Sequence, residues 1–327
     1  MKNNYDKDSE RFDVLETIAS VLGCREENIV DIEVLKKGMT NRSFLFRIDK
    51  GDNTGKYIMR IPGEGTDRLI DRAAEAAVYR TIRGCGFCDD PVYVNAANGY
   101  IISRYIEGAR CCDSESIDDL RACMRKLHRF HDYMQEGKHL TVPHTFDLFE
   151  RIDFYESLWD GHPSIYHDYE KTKENCHRLI PFIDAHKEPF QLTHVDAVPD
   201  NFLFDAATAG ELNIQLTDWE YAGMQDKHVD IAMFCIYALY DKEHIDRLID
   251  IYFEDEAGCS RTTRAKIYCY IAVCGLIWSN WCEYKRNLGV EFGKYSLFQY
   301  RYAKEFFRCA SELMEEIGEP LTGGKLY

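Results

Sequence analysis

Short apolar runs broken by turn residues fill the first hundred positions, and a three-to-four-residue apolar period replaces them from about Ser116 onward. Residues 29–35, 43–48 and 56–61 read as strands. They are separated by Lys37-Gly38-Met39-Thr40-Asn41 and by Lys50-Gly51-Asp52-Asn53, both of which read as hairpin turns. The alanine-rich stretch 67–83, charged along one side, predicts a helix, and residues 92–95 and 100–105 predict two further strands. Helices are expected over 117–134, 148–159, 169–185, 229–240, 245–254, 263–286 and 295–317. One hairpin-like stretch from Gln191 to Gly223 interrupts them, read as one small sheet, and only the two ends look frayed.

A chain of 327 residues is long enough for two lobes with separate cores. The pattern predicts an α+β protein with a small antiparallel-sheet lobe over 1–107 and a larger, mainly helical lobe over 108–327. Ile106-Glu107-Gly108 is the expected crossing point. Forty lysines and arginines against 56 aspartates and glutamates give a formal charge of −16, which argues against nucleic acid or an anionic membrane as partner and favours a cationic substrate. No apolar run approaches the roughly 20 residues of a membrane span. The thirteen scattered cysteines form no disulfide framework and the start has no signal-peptide core, so a reducing cytoplasm is the expected location. Cys85-Gly86-Phe87-Cys88 has no second Cys-x-x-Cys to complete a zinc site and reads as a structural loop.

The chemistry concentrates in the interrupting stretch. His194-Val195-Asp196 is followed five positions after the aspartate by Asn201, and a short apolar strand then ends at Asp218, seventeen positions further on. Asp218-Trp219-Glu220-Tyr221-Ala222-Gly223 and Asp230-Ile231-Ala232 complete the pattern. This set resembles the catalytic and metal-binding segments of the choline kinase and aminoglycoside phosphotransferase superfamily, relatives of the protein kinases, and the resemblance extends from about Leu35 to Lys304.

The resemblance implies a two-lobed, protein-kinase-like fold that uses ATP and Mg2+. Phosphoryl transfer requires a carboxylate to orient a hydroxyl, oxygen ligands for the metal, and charges that hold the phosphates in line. Asp196 is then the expected base, with His194 as the packing and hydrogen-bonding post of its loop, and Asn201 and Asp218 as metal ligands. Asp230 takes a supporting role behind that loop. Gly38, Thr40 and Asn41 belong to a turn that covers the phosphates, Arg60 grips phosphate oxygens, and Glu75 pairs with Arg60 to fix its direction. The adenine is expected against the backbone of Ser103, Arg104, Tyr105 and Ile106.

The acceptor is expected to be a small alcohol. Trp278 and Trp281 stand three positions apart on one helix face and, with Phe292-Gly293 after them, resemble the Trp-x-x-Trp and Phe-Gly segments of choline kinases. Aromatic faces attract a quaternary ammonium without offering hydrogen bonds it cannot use. Tyr221, Tyr237, Tyr240, Tyr284 and Tyr295 are further candidate walls, and Glu220 a counter-charge. Bacterial choline kinases that supply phosphocholine for surface glycans are the branch most resembled. Ethanolamine, an aminoglycoside or thiamine are the alternative acceptors, and a silent nucleotide-binding scaffold is the alternative class.

Overall fold

The computed structural model describes residues 5–35, 41–63, 65–137, 140–205 and 213–321. The chain divides into two compact units that join in sequence between Ala109 and Arg110.

The first unit opens on helix α1 (Tyr5–Leu22), which sequence reading left as a frayed end. Its second half earns its place by burial, because Ile18 and Leu22 pack into the core of the sheet that follows. Strands β1 (Ile29–Val34), β2 (Asn41–Ile48) and β3 (Gly55–Pro62), helix α2 (Arg72–Ile82), and strands β4 (Tyr93–Val94) and β5 (Ile101–Arg104) complete the unit. The strands form one antiparallel sheet in the order β1-β2-β3-β5-β4. Alternation along β3 sends Tyr57, Met59 and Ile61 into the core and turns Arg60 to the other face. The helix expected from residue 67 begins later, after a single 3-10 turn (Thr66–Arg68), because the Asp71 carboxylate accepts the N–H groups of Ala73 and Ala74 and caps α2 there.

The second unit begins with β6 (Arg110–Cys111), α3 (Ile117–Glu136) and α4 (Leu148–Ser157). The single helix expected over 169–185 is two, α5 (Tyr169–His177) and α6 (Ile180–His186). Pro181, in the first turn of α6, has no N–H to continue the α5 ladder and so ends it. Next come β7 (Gln191–Thr193), β8 (Phe202–Asp205), β9 (Asn213–Leu216) and β10 (Gly223–Gln225). These belong to two small sheets, β10-β7 and β6-β8-β9, where one was expected. Helices α7 (His228–Tyr237), α8 (Lys242–Tyr252), α9 (Arg261–Asn287) and α10 (Lys294–Glu316) follow.

Helix α9 is the axis of this unit. Every residue from Ala265 to Lys285 is buried, so the helix is enclosed by α4, α5, α6, α7 and α10. Close approach of α10 depends on Gly275, where an added Cβ would lie 2.8 Å from both the Gln299 carbonyl oxygen and Tyr302 Cβ. Among the described residues, no helix is long and apolar enough to cross a membrane. All thirteen cysteines are free thiols, Cys85 and Cys88 among them.

Candidate active site

Two short loops of the second unit carry the sequence motif. Residues 194–201 connect β7 to β8, and residues 217–222 connect β9 to β10. Each contains a non-glycine residue in the left-handed region, Val195 at φ 64° and Asp218 at φ 62°. Such a conformation is rare for a β-branched residue and persists only where the surroundings over-determine it.

The surroundings of Val195 are identifiable. The Asp230 carboxylate, on the first turn of α7, accepts the N–H of Val195 at 2.6 Å and that of His194 at 3.1 Å. His131 donates to the same carboxylate from Nε2 at 2.9 Å and accepts the Tyr252 hydroxyl at Nδ1, 2.7 Å away. His194 is fully buried, packs its ring 4.3 Å from that of Trp219, and donates from Nε2 to the Thr217 carbonyl at 2.9 Å. It therefore ties the two loops together. Burial lowers its pKa to about 4, which leaves it neutral and unsuited to carry a proton near neutral pH.

Asn201 and Asp218 are brought together by the same stitching, since the Thr217 N–H donates to the Asn201 carbonyl at 3.0 Å. Asn201 spends its amide nitrogen on Asp196, donating to the backbone carbonyl at 2.9 Å and to Oδ2 at 3.2 Å. Its Oδ1 is then the atom left to accept or to ligate. Burial pushes the Asp196 carboxyl well above the usual carboxylate range, and the negative charges of Asp218 and Glu220 push it further. Asp218, Glu220 and the Asn201 amide oxygen are ligand types that suit a hard cation such as Mg2+, whose charge would offset the negative charge acting on Asp196.

Rings line the neighbourhood. Trp278 and Trp281 meet edge-to-face at 6.1 Å. Tyr221 approaches Trp278 edge-on at 5.2 Å, and Tyr155 stacks on it at 6.1 Å. From Trp281 the chain of rings continues through Phe292 at 5.0 Å, Tyr295 at a further 6.3 Å, and Tyr237 at 6.1 Å from Tyr295. The tryptophans are 6% and 4% exposed, whereas Phe292, Tyr295 and Tyr237 are half-buried, so the series runs from core to surface. Burial raises the phenol pKa values of Tyr155, Tyr221, Tyr237 and Tyr295, and in all four the Asp196 charge adds to the rise. The ring series therefore lies within electrostatic reach of Asp196.

Tyr240 departs from the expected wall. Its ring packs against Phe234 and His244, and its hydroxyl donates to the Ser114 carbonyl, because the chain turns at Tyr240 toward α8. Tyr284 is sealed in the core at 1% exposure.

In the first unit, Arg60 and Glu75 form an ion pair, and Arg72 Nη1 adds a second guanidinium at 3.1 Å from Glu75. Asn41 is buried at the start of β2 opposite Pro62, and Gly38 and Thr40 lie outside the described residues. In the connection expected to receive adenine, part of the backbone is already engaged. The Tyr105 N–H donates to the Lys56 carbonyl at 3.0 Å and so is no donor for a base. The Ile106 carbonyl accepts the Ala109 N–H at 3.2 Å, and the Arg104 guanidinium donates to the Tyr57 hydroxyl at 3.1 Å.

Sequence reading missed Arg72, Asp89 and Tyr155. Burial pushes the Asp89 carboxyl up, while a hydrogen bond with Ser103 and the Arg60 charge oppose the rise. Asp89 and Tyr155 reach their partners from separate elements, so no local pattern marks them, whereas Arg72 stands one turn before Glu75 on α2, an i,i+3 spacing that could have found it.

The chain matches the choline/ethanolamine kinase family over residues 32–254. LicA of Haemophilus influenzae is 24% identical over 269 residues, which covers 79% of this chain and 95% of that protein. The crystal structure of choline kinase LicA from Streptococcus pneumoniae superposes with a TM-score of 0.75 at 26% identity, covering 92% of this chain and 99% of that one. A LicA structure in complex with AMP gives 0.70 at 27% identity over 91% and 97% of the two chains. The fold is thus α+β and protein-kinase-like, with a small antiparallel-sheet unit and a larger, mainly helical one. A match that takes in both the sheet and the loops bearing Asp196, Asn201 and Asp218 places this chain in the choline/ethanolamine kinase family.

Proposed function

We propose that this chain transfers the γ-phosphoryl group of ATP to the hydroxyl of choline, giving phosphocholine and ADP. Residues 1–107 form the nucleotide-binding lobe and 108–327 the catalytic and acceptor-binding lobe. The observation that carries the reading is the nearness of the Asp196 carboxylate to a series of indole and phenol rings.

The choline oxygen attacks the γ-phosphorus, the bond from that phosphorus to the β-phosphate oxygen breaks, and the hydroxyl proton passes to Asp196. A carboxyl held above its usual range is a better proton acceptor than a free one. Asn201 keeps Asp196 in place, and Asp230 keeps the loop in place. Mg2+ would be held by Asn201 and Asp218 and would supply charge neutralisation of the phosphates. In the other lobe, Arg60, directed by Glu75, suits phosphate oxygens, with Asn41 as a further candidate contact. The rings of Tyr221, Trp278, Trp281, Tyr295 and Tyr237 suit a trimethylammonium group, and Glu220 supplies a negative charge. Thirteen unpaired thiols fit a reducing compartment such as the cytoplasm.

The test is coupled ADP release with choline, ethanolamine, an aminoglycoside and thiamine as acceptors. Choline should give the highest kcat/KM, Asp196→Asn should lower turnover by about 10³-fold while nucleotide still binds, and Trp281→Ala should raise the KM for choline by about tenfold. ADP release that choline does not stimulate would overturn the assignment.

A further inference from the structure

The ring series already holds a cation. The Lys285 ammonium lies 5.6 Å from the centroid of the Trp281 ring, in cation–π contact, and Lys285 is only 4% exposed. Lysines this buried are rare unless a carboxylate pairs with them. Among the described residues, however, no hydrogen bond or ion pair holds this ammonium, and the carboxylate that acts on it, Glu220, does so as a charge in the neighbourhood. Sequence explains the placement, because Lys285 follows Trp281 by four positions on α9 and so lies one turn away on the same face.

A basic residue in the last turn of a helix has an ordinary use, which is to complement the helix dipole. Arg286 stands in that turn as well, is more exposed, and has Glu283 at 3.8 Å. Dipole complementation needs no burial over an indole face, so the position of Lys285 calls for its own account. Two cations cannot share one ring face in a desolvated site without mutual repulsion.

We propose that Lys285 is an affinity-determining residue of the acceptor site, whose ammonium covers the Trp281 face until a cationic acceptor displaces it. This rests on the reading of the ring series as an ammonium site. A tethered primary ammonium is the chemical equal of the primary ammonium of ethanolamine, which gains little by replacing it. A trimethylammonium group sheds its water more readily and presents a larger surface to the ring, so it wins the exchange. Lys285 thereby sets a displacement cost common to all cationic acceptors, which a quaternary ammonium overcomes at lower concentration.

The experiment measures tetramethylammonium binding to the full chain, by calorimetry and tryptophan fluorescence, for wild type, Lys285→Met and Lys285→Arg. Removing the internal competitor should tighten binding about fivefold to tenfold in Lys285→Met, whereas Lys285→Arg should stay near wild type. In wild type, where folding is not in question, tetramethylammonium should increase acetylation of Lys285 by acetic anhydride, read by peptide mass spectrometry. Equal or weaker binding by a folded Lys285→Met, or acetylation that tetramethylammonium does not increase, overturns the displacement role alone. Failure of tetramethylammonium to bind either wild type or Lys285→Met overturns the ammonium-site reading, and this inference with it.

Discussion

Asp230 holds Val195 in the left-handed region through a 2.6 Å hydrogen bond from the Val195 N–H to its carboxylate. Val195 is fully buried, and Asp196, the next residue, is only partly so. Asp230→Asn keeps the size of the side chain but replaces one acceptor oxygen with a donor, which would face the N–H of Val195 or that of His194, since each is accepted by a different oxygen. Each lost hydrogen bond to the charged carboxylate costs roughly 1.5–3 kcal/mol. Turnover should fall by about 100-fold, with a lower Tm. The measurement is kcat beside a thermal melt, and unchanged turnover in a folded variant would show that Asp196 is positioned by other means.

Glu75 answers two guanidinium groups at once, those of Arg60 and Arg72, from a fully enclosed position. Glu75→Gln removes the shared countercharge and sets a neutral amide beside both guanidinium groups, the buried one of Arg72 and the partly buried one of Arg60. Breaking a buried pair in this way costs roughly 3–5 kcal/mol. The variant should melt lower and bind ATP more weakly, because Arg60 loses the group that directs it. Equilibrium titration with ATP and denaturant unfolding check the two effects separately.

Spacing made much of the site legible. His194, Asp196, Asn201 and Asp218 sit in two loops whose flanking strands are short and apolar, so their order along the chain translates directly into nearness. What holds those loops was less legible, because His131 and Tyr252 reach Asp230 from α3 and α8 and no local pattern predicts either contact. The same holds for Tyr155, an ordinary helical aromatic until α4 packs on α9 and sets it against Trp278. Helix boundaries moved where one residue outweighed a periodic pattern, as at the Asp71 cap and at Pro181. Tyr240 was misplaced because its nearness in sequence to Tyr237 hides a change of direction between α7 and α8.

His228 gives the protein a sensitivity to acid. Its ring is buried against Tyr252 and Phe253, and neither ring nitrogen has a hydrogen-bond partner among the described residues. Burial lowers its pKa from 6.5 to about 3, with the Asp226 charge opposing the shift. Between those values the unfolded chain binds a proton that the folded one excludes. The stabilisation is therefore present above the usual histidine pKa and is lost as pH falls, by about 1.4 kcal/mol per pH unit. His131 and His194, also lowered by burial, act in the same direction. His228→Phe fills the same space with no proton to exclude. Its unfolding free energy should vary less with pH between about 6.5 and 4 than that of wild type, as denaturant titrations at several pH values would show. An unchanged slope would mean that His228 is protonated in the folded state.

Gly275 sets the distance between the helix that carries both tryptophans and the helix that follows Phe292. In isolation, alanine is the better helix former by about 1 kcal/mol, so propensity alone favours Gly275→Ala. Packing opposes it, since the added methyl would meet the Gln299 carbonyl and Tyr302 Cβ at 2.8 Å and the Ala303 nitrogen at 3.0 Å. These are backbone atoms and a Cβ, which cannot rotate aside, so α9 and α10 must separate. Overpacking of this kind costs roughly 1–3 kcal/mol, enough to outweigh the gain in propensity. Separation would also pull Trp281 from Phe292 and Tyr295, which flank the start of α10. Gly275→Ala should therefore melt at a lower temperature and show a higher KM for choline, with the KM for ATP unaltered. A variant that melts higher than wild type would mean that the two helices accommodate the methyl group and that propensity governs the position.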